Sequence, residues 1–219
     1  MRIYRFYAWL RMNLLDYFYA AAVEAHETGV PMMRALPLAF PGDATVADCD
    51  DEYLLGPDLL VAPVHTGTLS RTVRFPAGRW TDFWTGEVIT GPCQREADAP
   101  LDRIPLYLRA GALLLVHLNG ALRWGASMTG NRIGTVVATS PADGEFKLNL
   151  DDALDRRYLL IYGTTVSAVM VNGRDLPRLR DAEIAACPPG WYEDGCRTIV
   201  RLPAGRARAV AIAGAVSRG

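Results

Sequence analysis

From Phe6 to about His26 the apolar residues Phe6, Leu10, Leu14, Tyr17 and Ala21 return at helical spacing, and Trp9, Met12, Leu15 and Phe18 widen the apolar surface almost all round. That pattern predicts a helix buried on most sides. Thr28-Gly29 ahead of Pro31 stops it, because glycine takes the left-handed cap and proline cannot continue the hydrogen-bond ladder. Pro31 to Leu36 is then a short apolar run ended by Pro37, which has no amide to donate, and it predicts a short buried strand. Helix, tight turn and buried strand together make half of a βα barrel unit. Beyond Gly56-Pro57 the period changes. Leu59–Val64, Arg71–Phe75, Arg79–Trp84, Leu101–Ile104, Leu106–Ala110 and Ala112–His117 are short apolar or alternating runs separated by Gly, Pro, Thr and Asp, the pattern of an antiparallel sandwich.

Further along, Asn119–Gly134 is glycine-rich and breaks the pattern. Beyond it Thr135–Thr139, Glu145–Leu150, Tyr158–Tyr162, Val166–Val171, Thr198–Leu202 and Ala207–Ile212 form a second set of strand signals, with Asn172-Gly173 as a hairpin turn. The organisation expected is therefore barrel-like elements over 1–56, a proximal β-sandwich over 57–120, a linker over 121–134 and a distal β-sandwich over 135–219. A local echo links the two sets. Arg71-Thr72-Val73-Arg74-Phe75-Pro76-Ala77-Gly78-Arg79 and Arg197-Thr198-Ile199-Val200-Arg201-Leu202-Pro203-Ala204-Gly205-Arg206 each suggest a strand, a Pro-Ala-Gly turn and a return strand. On this reading residues 1–44 are dispensable to the β units.

Composition narrows the function classes. Half of the 219 residues are hydrophobic, enough for packed cores, and 23 basic against 24 acidic residues leave a formal charge of -1. With no basic stripe there is no electrostatic footprint for nucleic acid or an anionic membrane, and the longest apolar runs are too short to span a bilayer. The opening segment lacks a secretory core. Cys49, Cys93, Cys187 and Cys196 are scattered without a Cys-x-x-Cys pair, which suits reduced thiols and predicts a cytoplasmic protein. Cys187 and Cys196 flank Pro188-Pro189-Gly190, a spacing that also permits a bridge across a turn.

His26, His65 and His117 show no ligand spacing, and Ser127, Ser140 and Ser167 lack a nucleophile-elbow context, so neither a metal nor a serine nucleophile is expected, and no cofactor. Asp50-Asp51 and Asp151-Asp152 are adjacent acids whose side chains diverge; a helix start and a solvated turn explain them better than a catalytic pair. Trp80 and Trp84 suggest an aromatic platform for a sugar ring, since alternation puts both on one side of a strand and Phe83 on the other. The alternative is that these rings fill a sandwich core.

Several segments in order carry a resemblance. They are Glu24-Ala25-His26-Glu27-Thr28-Gly29-Val30-Pro31-Met32-Met33-Arg34-Ala35-Leu36, Phe40-Pro41-Gly42-Asp43, Asp50 to Val64, Phe75-Pro76-Ala77-Gly78-Arg79-Trp80-Thr81-Asp82-Phe83-Trp84-Thr85-Gly86 and Ile104-Pro105-Leu106-Tyr107-Leu108-Arg109-Ala110-Gly111-Ala112. This series resembles the junction in glycoside hydrolase family 31 between a catalytic (β/α)8 barrel and the β-sandwich domains that follow it. The fold class implied is mainly β, with a remnant of the barrel's end (helix, strand and, over Val46–Gly56, a short last helix) before two antiparallel sandwiches. The activity implied is that of a retaining α-glucosidase or α-xylosidase whose two catalytic aspartates lie earlier in the barrel than any residue here, so no catalytic residue is carried over.

The partners implied are the N-terminal catalytic barrel of the same enzyme and, through it, an α-linked oligosaccharide or glycoside. Phe40 and Asp43 follow the last barrel strand and are the substrate-proximal candidates, with a turn cap at Asp43 and closure of the barrel end by Phe40 as the alternative. Arg34 would then find its carboxylate in the barrel. The chain departs from the family pattern at Glu52, where Gln is frequent, and at Leu113–His117. Gly190–Gly195 and Val171-Asn172-Gly173 look like the distal domain. A rival reading is a stand-alone β-sandwich module that binds a carbohydrate or a partner through Trp80 and Trp84.

Overall fold

A computed structural model describes residues 2–116, 136–139, 145–150, 158–180, 188–194, 197–203 and 209–216. The expected linker at 121–134, Asp151-Asp152, His117, Ser127, Ser140, Cys187 and Cys196 lie outside these residues. The chain divides into two compact units, Ala21–Ala112 and Met1–Ala20 with Leu113–Val216.

The predicted N-terminal helix is two consecutive helices, α1 (Arg2–Asn13) and α2 (Leu15–Thr28). Leu14 keeps them continuous, since its amide donates to Leu10 O and its carbonyl accepts from Phe18 N. The stop falls where glycine predicts it: Gly29 takes φ 78° and its amide reaches Ala25 O at 3.0 Å.

In the first unit a six-stranded antiparallel sheet runs in the order β1-β2-β3-β6-β4-β5. Its strands are β1 (Met33–Ala35), β2 (Tyr53–Leu55), β3 (Leu59–Val61), β4 (Ser70–Asp82), β5 (Val88–Asp98) and β6 (Leu106–Arg109), with the short helix α3 (Leu36–Ala39) after β1. Three expectations change here. The run 31–36 is a strand only over β1, and it alternates exposed, buried, exposed because it pairs antiparallel with β2 at the sheet's margin. Val46–Gly56 is not a helix: turns at Asp43–Val46 and Val46–Cys49 lead into β2. The Pro76-Ala77-Gly78 segment does not reverse the chain, because β4 runs through it with a register shift between Phe75 and Gly78 and pairs with β5 on both sides. A proline can sit there only because the bulge removes the need for its amide in the ladder.

The core of this unit gathers Leu36, Val46, Leu54, Leu60, Val73, Phe75, Trp80 and Tyr107, with Ala39 and Phe40 packed against them. Leu36 is fully buried. Residues 1–44 thus supply both β1 and part of this core, which argues against their being dispensable to the first β unit.

The second unit is a sandwich. One sheet has the order β13-β14-β10-β7, the other β12-β11-β15-β9-β8. The strands are β7 (Leu113–Val116), β8 (Val136–Thr139), β9 (Glu145–Leu150), β10 (Tyr158–Tyr162), β11 (Thr164–Val171), β12 (Arg174–Asp175), β13 (Gly190–Asp194), β14 (Arg197–Arg201) and β15 (Ala209–Val216). The β7 segment, read from sequence as part of the proximal domain, pairs antiparallel with β10. Leu159, Ile161, Val166, Val169, Trp191, Val200, Val210 and Ile212 fill the space between the sheets. Asn172 (φ 51°) and Gly173 (φ 76°) make the expected hairpin between β11 and β12, a turn that requires positive φ at both positions. In the echoed segment β14 and β15 belong to different sheets, so no hairpin joins them.

Candidate functional site

The acidic run Asp50-Asp51-Glu52 leads into β2, and Arg71 and Arg74 lie on β4. Folding brings these groups together in the first unit. Arg71 Nη2 donates to Glu52 Oε1 and to Asp51 Oδ2, both at 2.9 Å, while its Nη1 donates to Pro63 O at 2.6 Å and Asp51 O at 3.2 Å. Glu52 also accepts the Arg74 backbone N–H, at 3.0 Å on Oε1 and 3.2 Å on Oε2. Arg74 extends its side chain to Asp48. The Glu52 side chain is wholly buried and that of Arg71 nearly so, whereas Asp51 keeps 38% of its side-chain surface exposed.

The network borders an open cleft of about 560 Å³ lined by residues that include Met33, Cys49, Asp51, Glu52, Tyr53 and His65. Burial pushes the Glu52 carboxyl up to about 7, against the Arg74 amide and the Arg71 charge, which pull it down. Burial also pushes the Cys49 thiol up to about 11, with the nearby Glu52 charge adding to the effect.

Two kinds of chemistry are conceivable for this set. Ligand atoms of Cys49, Asp51 and Glu52 lie within 4.8 Å of one another, close enough for one metal ion. Yet Arg71 already spans the two carboxylates, and a thiol raised this far is a poor source of thiolate. A buried acid beside a half-exposed carboxylate also has the outline of an acid and nucleophile pair. Here Glu52 is sealed from solvent and its oxygens are turned to Arg71 and Arg74, so it cannot reach a glycosidic oxygen. The arrangement acts as a clamp.

The candidates read from sequence fall around the same sheet. Phe40 sets its ring edge-on to Trp80 at 6.1 Å and carries the Arg109 guanidinium over its face at 5.0 Å. Asp43 accepts from Thr45 N and Ala77 N, each at 2.9 Å. Burial acts to raise its pKa, but these hydrogen bonds together hold it below the ordinary carboxylate value. Trp80 is fully buried and donates its indole N–H to Pro76 O at 2.9 Å, so it presents no face to a sugar.

Trp84 is not on the same strand face, because β4 ends at Asp82, whose carboxylate accepts the amides of Trp84 and Thr85 and turns the chain. The half-buried Trp84 ring meets Phe83 at 5.1 Å and Arg103 at 5.8 Å. Arg34 finds its carboxylate within the chain, at Glu24 Oε2, 2.6 Å away. Asp51 opens no helix; it is an ion-pair partner. Sequence reasoning missed the Glu52–Arg71 pair, for which the only signal was an acid at a position where the resembling family often has Gln.

Residues 29–114 match the glycosyl hydrolase family 31 C-terminal domain. An α-glucosidase 2 from Bacillus thermoamyloliquefaciens is 39% identical over 114 residues, 52% of this chain and 14% of its own length. An isomaltosyltransferase from Sporosarcina globispora is 29% identical over 215 residues, 84% of this chain and 20% of its own length. The structure of a cycloalternan-forming enzyme from Listeria monocytogenes, in complex with a pentasaccharide substrate, superposes with a TM-score of 0.71 at 24% identity. It covers 99% of this chain and 24% of that one, and this likeness shows the fold. The chain thus spans about a fifth or less of the length of these two curated relatives.

Proposed function

The chain carries the family 31 C-terminal domain over residues 29–114, and we propose that it serves as the non-catalytic C-terminal portion of a retaining α-glycoside hydrolase. Its partner is the catalytic barrel of the same enzyme, which holds an α-linked oligosaccharide or glycoside, and its compartment is the cytoplasm. The family match is the observation on which this reading rests. It is supported by the commitment of Asp51 and Glu52 to Arg71 and of Glu52 to the Arg74 amide, which ties up the adjacent carboxylates that could have made an acid and nucleophile pair there. Phe40 and Asp43 lie on the loop after β1 and α3, the place from which they would border the barrel's substrate. The rival module reading loses its platform with the burial of Trp80.

The test is hydrolysis of aryl α-glucosides and α-xylosides by the purified chain. We expect no turnover above buffer, because no acid and nucleophile pair is positioned for it among the described residues. Turnover that a single Asp or Glu substitution abolishes would overturn the proposal.

A further inference from the structure

Over residues 70–78, β4 is paired with β5 on one side, while β6 meets it only at Trp80–Asp82. Along that stretch the other side of β4 has no strand partner among the described residues. Residues 43–52 run beside it instead. Their backbone forms turns, with Val46 N donating to Asp43 O and Cys49 N to Val46 O, so it offers β4 no ladder. The side chains supply one. Asp43 Oδ2 accepts Ala77 N, Asp48 pairs with Arg74, Glu52 accepts Arg74 N, and Asp51 and Glu52 share Arg71. From Asp43 to Ala77, Asp48 to Arg74 and Asp51 to Arg71 the partners on β4 fall in number as those on the segment rise, so the segment runs antiparallel to β4, and Glu52 at its end spans both Arg71 and the Arg74 amide. Beneath it Val46 and Cys49 enter the core.

We propose that residues 43–52 form a carboxylate-fastened strap that stands in for a strand along the open side of β4, with Arg71, Arg74 and the Ala77 amide as positioning groups for the loop that carries Phe40 and Asp43. An exposed strand side with free amides invites pairing with other chains, and acceptors supplied by side chains close it without adding a strand. Any bearing of the strap on substrate rests on the barrel reading above. The strap itself does not, so the two can fail separately.

The experiment is amide hydrogen exchange on the full chain, resolved by residue, comparing Asp43→Ala, Glu52→Met, Arg74→Met and Glu52→Gln with the parent. Exchange at Leu59, Leu60 and Val61, on the first unit's strand β3, which is paired on both sides, reports whether that unit stays folded. In Asp43→Ala the Ala77 amide should lose protection by on the order of tenfold, and in Glu52→Met the Arg74 amide should do the same. Glu52→Gln keeps an acceptor oxygen where Arg71 and Arg74 donate, and should retain protection within about twofold of the parent. Arg74→Met removes only the outer fastening to Asp48, with no change in the core, and should speed exchange at Cys49. Unchanged protection at Ala77 in Asp43→Ala, or a Gln variant that exchanges as fast as the Met variant, would overturn the proposal. So would an Arg74→Met chain identical to the parent at Cys49.

Discussion

Replacing Glu52 by Gln tests whether burial or ion pairing governs the centre of the clamp. The folded chain raises this carboxyl from 4.5 to about 7, with burial the largest cause. A raised folded-state pKa means that the native state holds the proton more tightly than the unfolded chain does. The contribution of Glu52 to stability is therefore greatest below about 4.5, falls as pH rises from there to about 7, and is flat above. At about 1.4 kcal/mol per pKa unit the whole fall amounts to about 3 kcal/mol, an upper magnitude because Arg71 shares the site. Glutamine has the shape of the protonated acid and keeps one oxygen to accept from Arg71 and the Arg74 amide, giving up only the longer contact of that amide with the second oxygen, so it should lack this pH dependence.

Urea unfolding of both chains between pH 4.5 and pH 8.5 is the assay, followed by circular dichroism and by the summed tryptophan fluorescence, in which Trp80 and Trp84 report the first unit. The two curves should agree near pH 4.5. The Gln variant should be the more stable by up to about 3 kcal/mol above pH 8. Should Glu52→Gln instead be less stable at pH 8, the Arg71 and Arg74 contacts outweigh the desolvation of the carboxylate, and the reasoning fails.

Three further outcomes are expected. Thr198 on β14 stands opposite Ile161 on β10 inside the sandwich core, is fully buried, and its hydroxyl has no hydrogen-bond partner among the described residues; Thr198→Val should stabilise the chain by about 1 kcal/mol in thermal or urea unfolding. Gly91→Ala would place a Cβ 2.1 Å from Pro76 O opposite the β4 bulge, and should destabilise by about 2 kcal/mol or more, read as a lowered urea midpoint at constant slope. Deleting residues 1–44 removes β1, the buried Leu36 and the Asp43 fastening. Since burying one such leucine contributes about 1.5–3 kcal/mol, the shortened chain should lose the cooperative transition of its first unit by circular dichroism, and a shortened chain that unfolds as the parent does would refute this.

Local periodicity by itself determined much of this protein. The helical repeat stopped at Gly29, the apolar or alternating segments that become β9, β10, β11 and β14, and the Asn172-Gly173 turn depend on neighbours within a few residues, and the structure has each close to where the pattern puts it, with the one helix divided in two at Leu14. The ordered series of motifs was likewise enough to indicate the family 31 junction, and the family's C-terminal domain matches residues 29–114, beginning inside the stretch read from sequence as barrel.

Tertiary structure decided what depends on distant partners. A Pro-Ala-Gly segment can turn a chain or bulge a strand, and only the presence of β5 across from β4 selected the bulge. Leu113–Val116 is apolar enough to join either sheet, and pairing with β10 settled its unit. Trp80 has the sequence context of a platform or of a core, and the packing of Phe40, Phe75 and Tyr107 in one cluster with it made it core. The clamp is the clearest case. Glu52 and Arg71 are far apart along the chain, and no short-range rule links an acid in one loop to an arginine on a later strand. Their pairing exists because β4 arrives beside the strap with one side open, and buried amides and charges must find partners there.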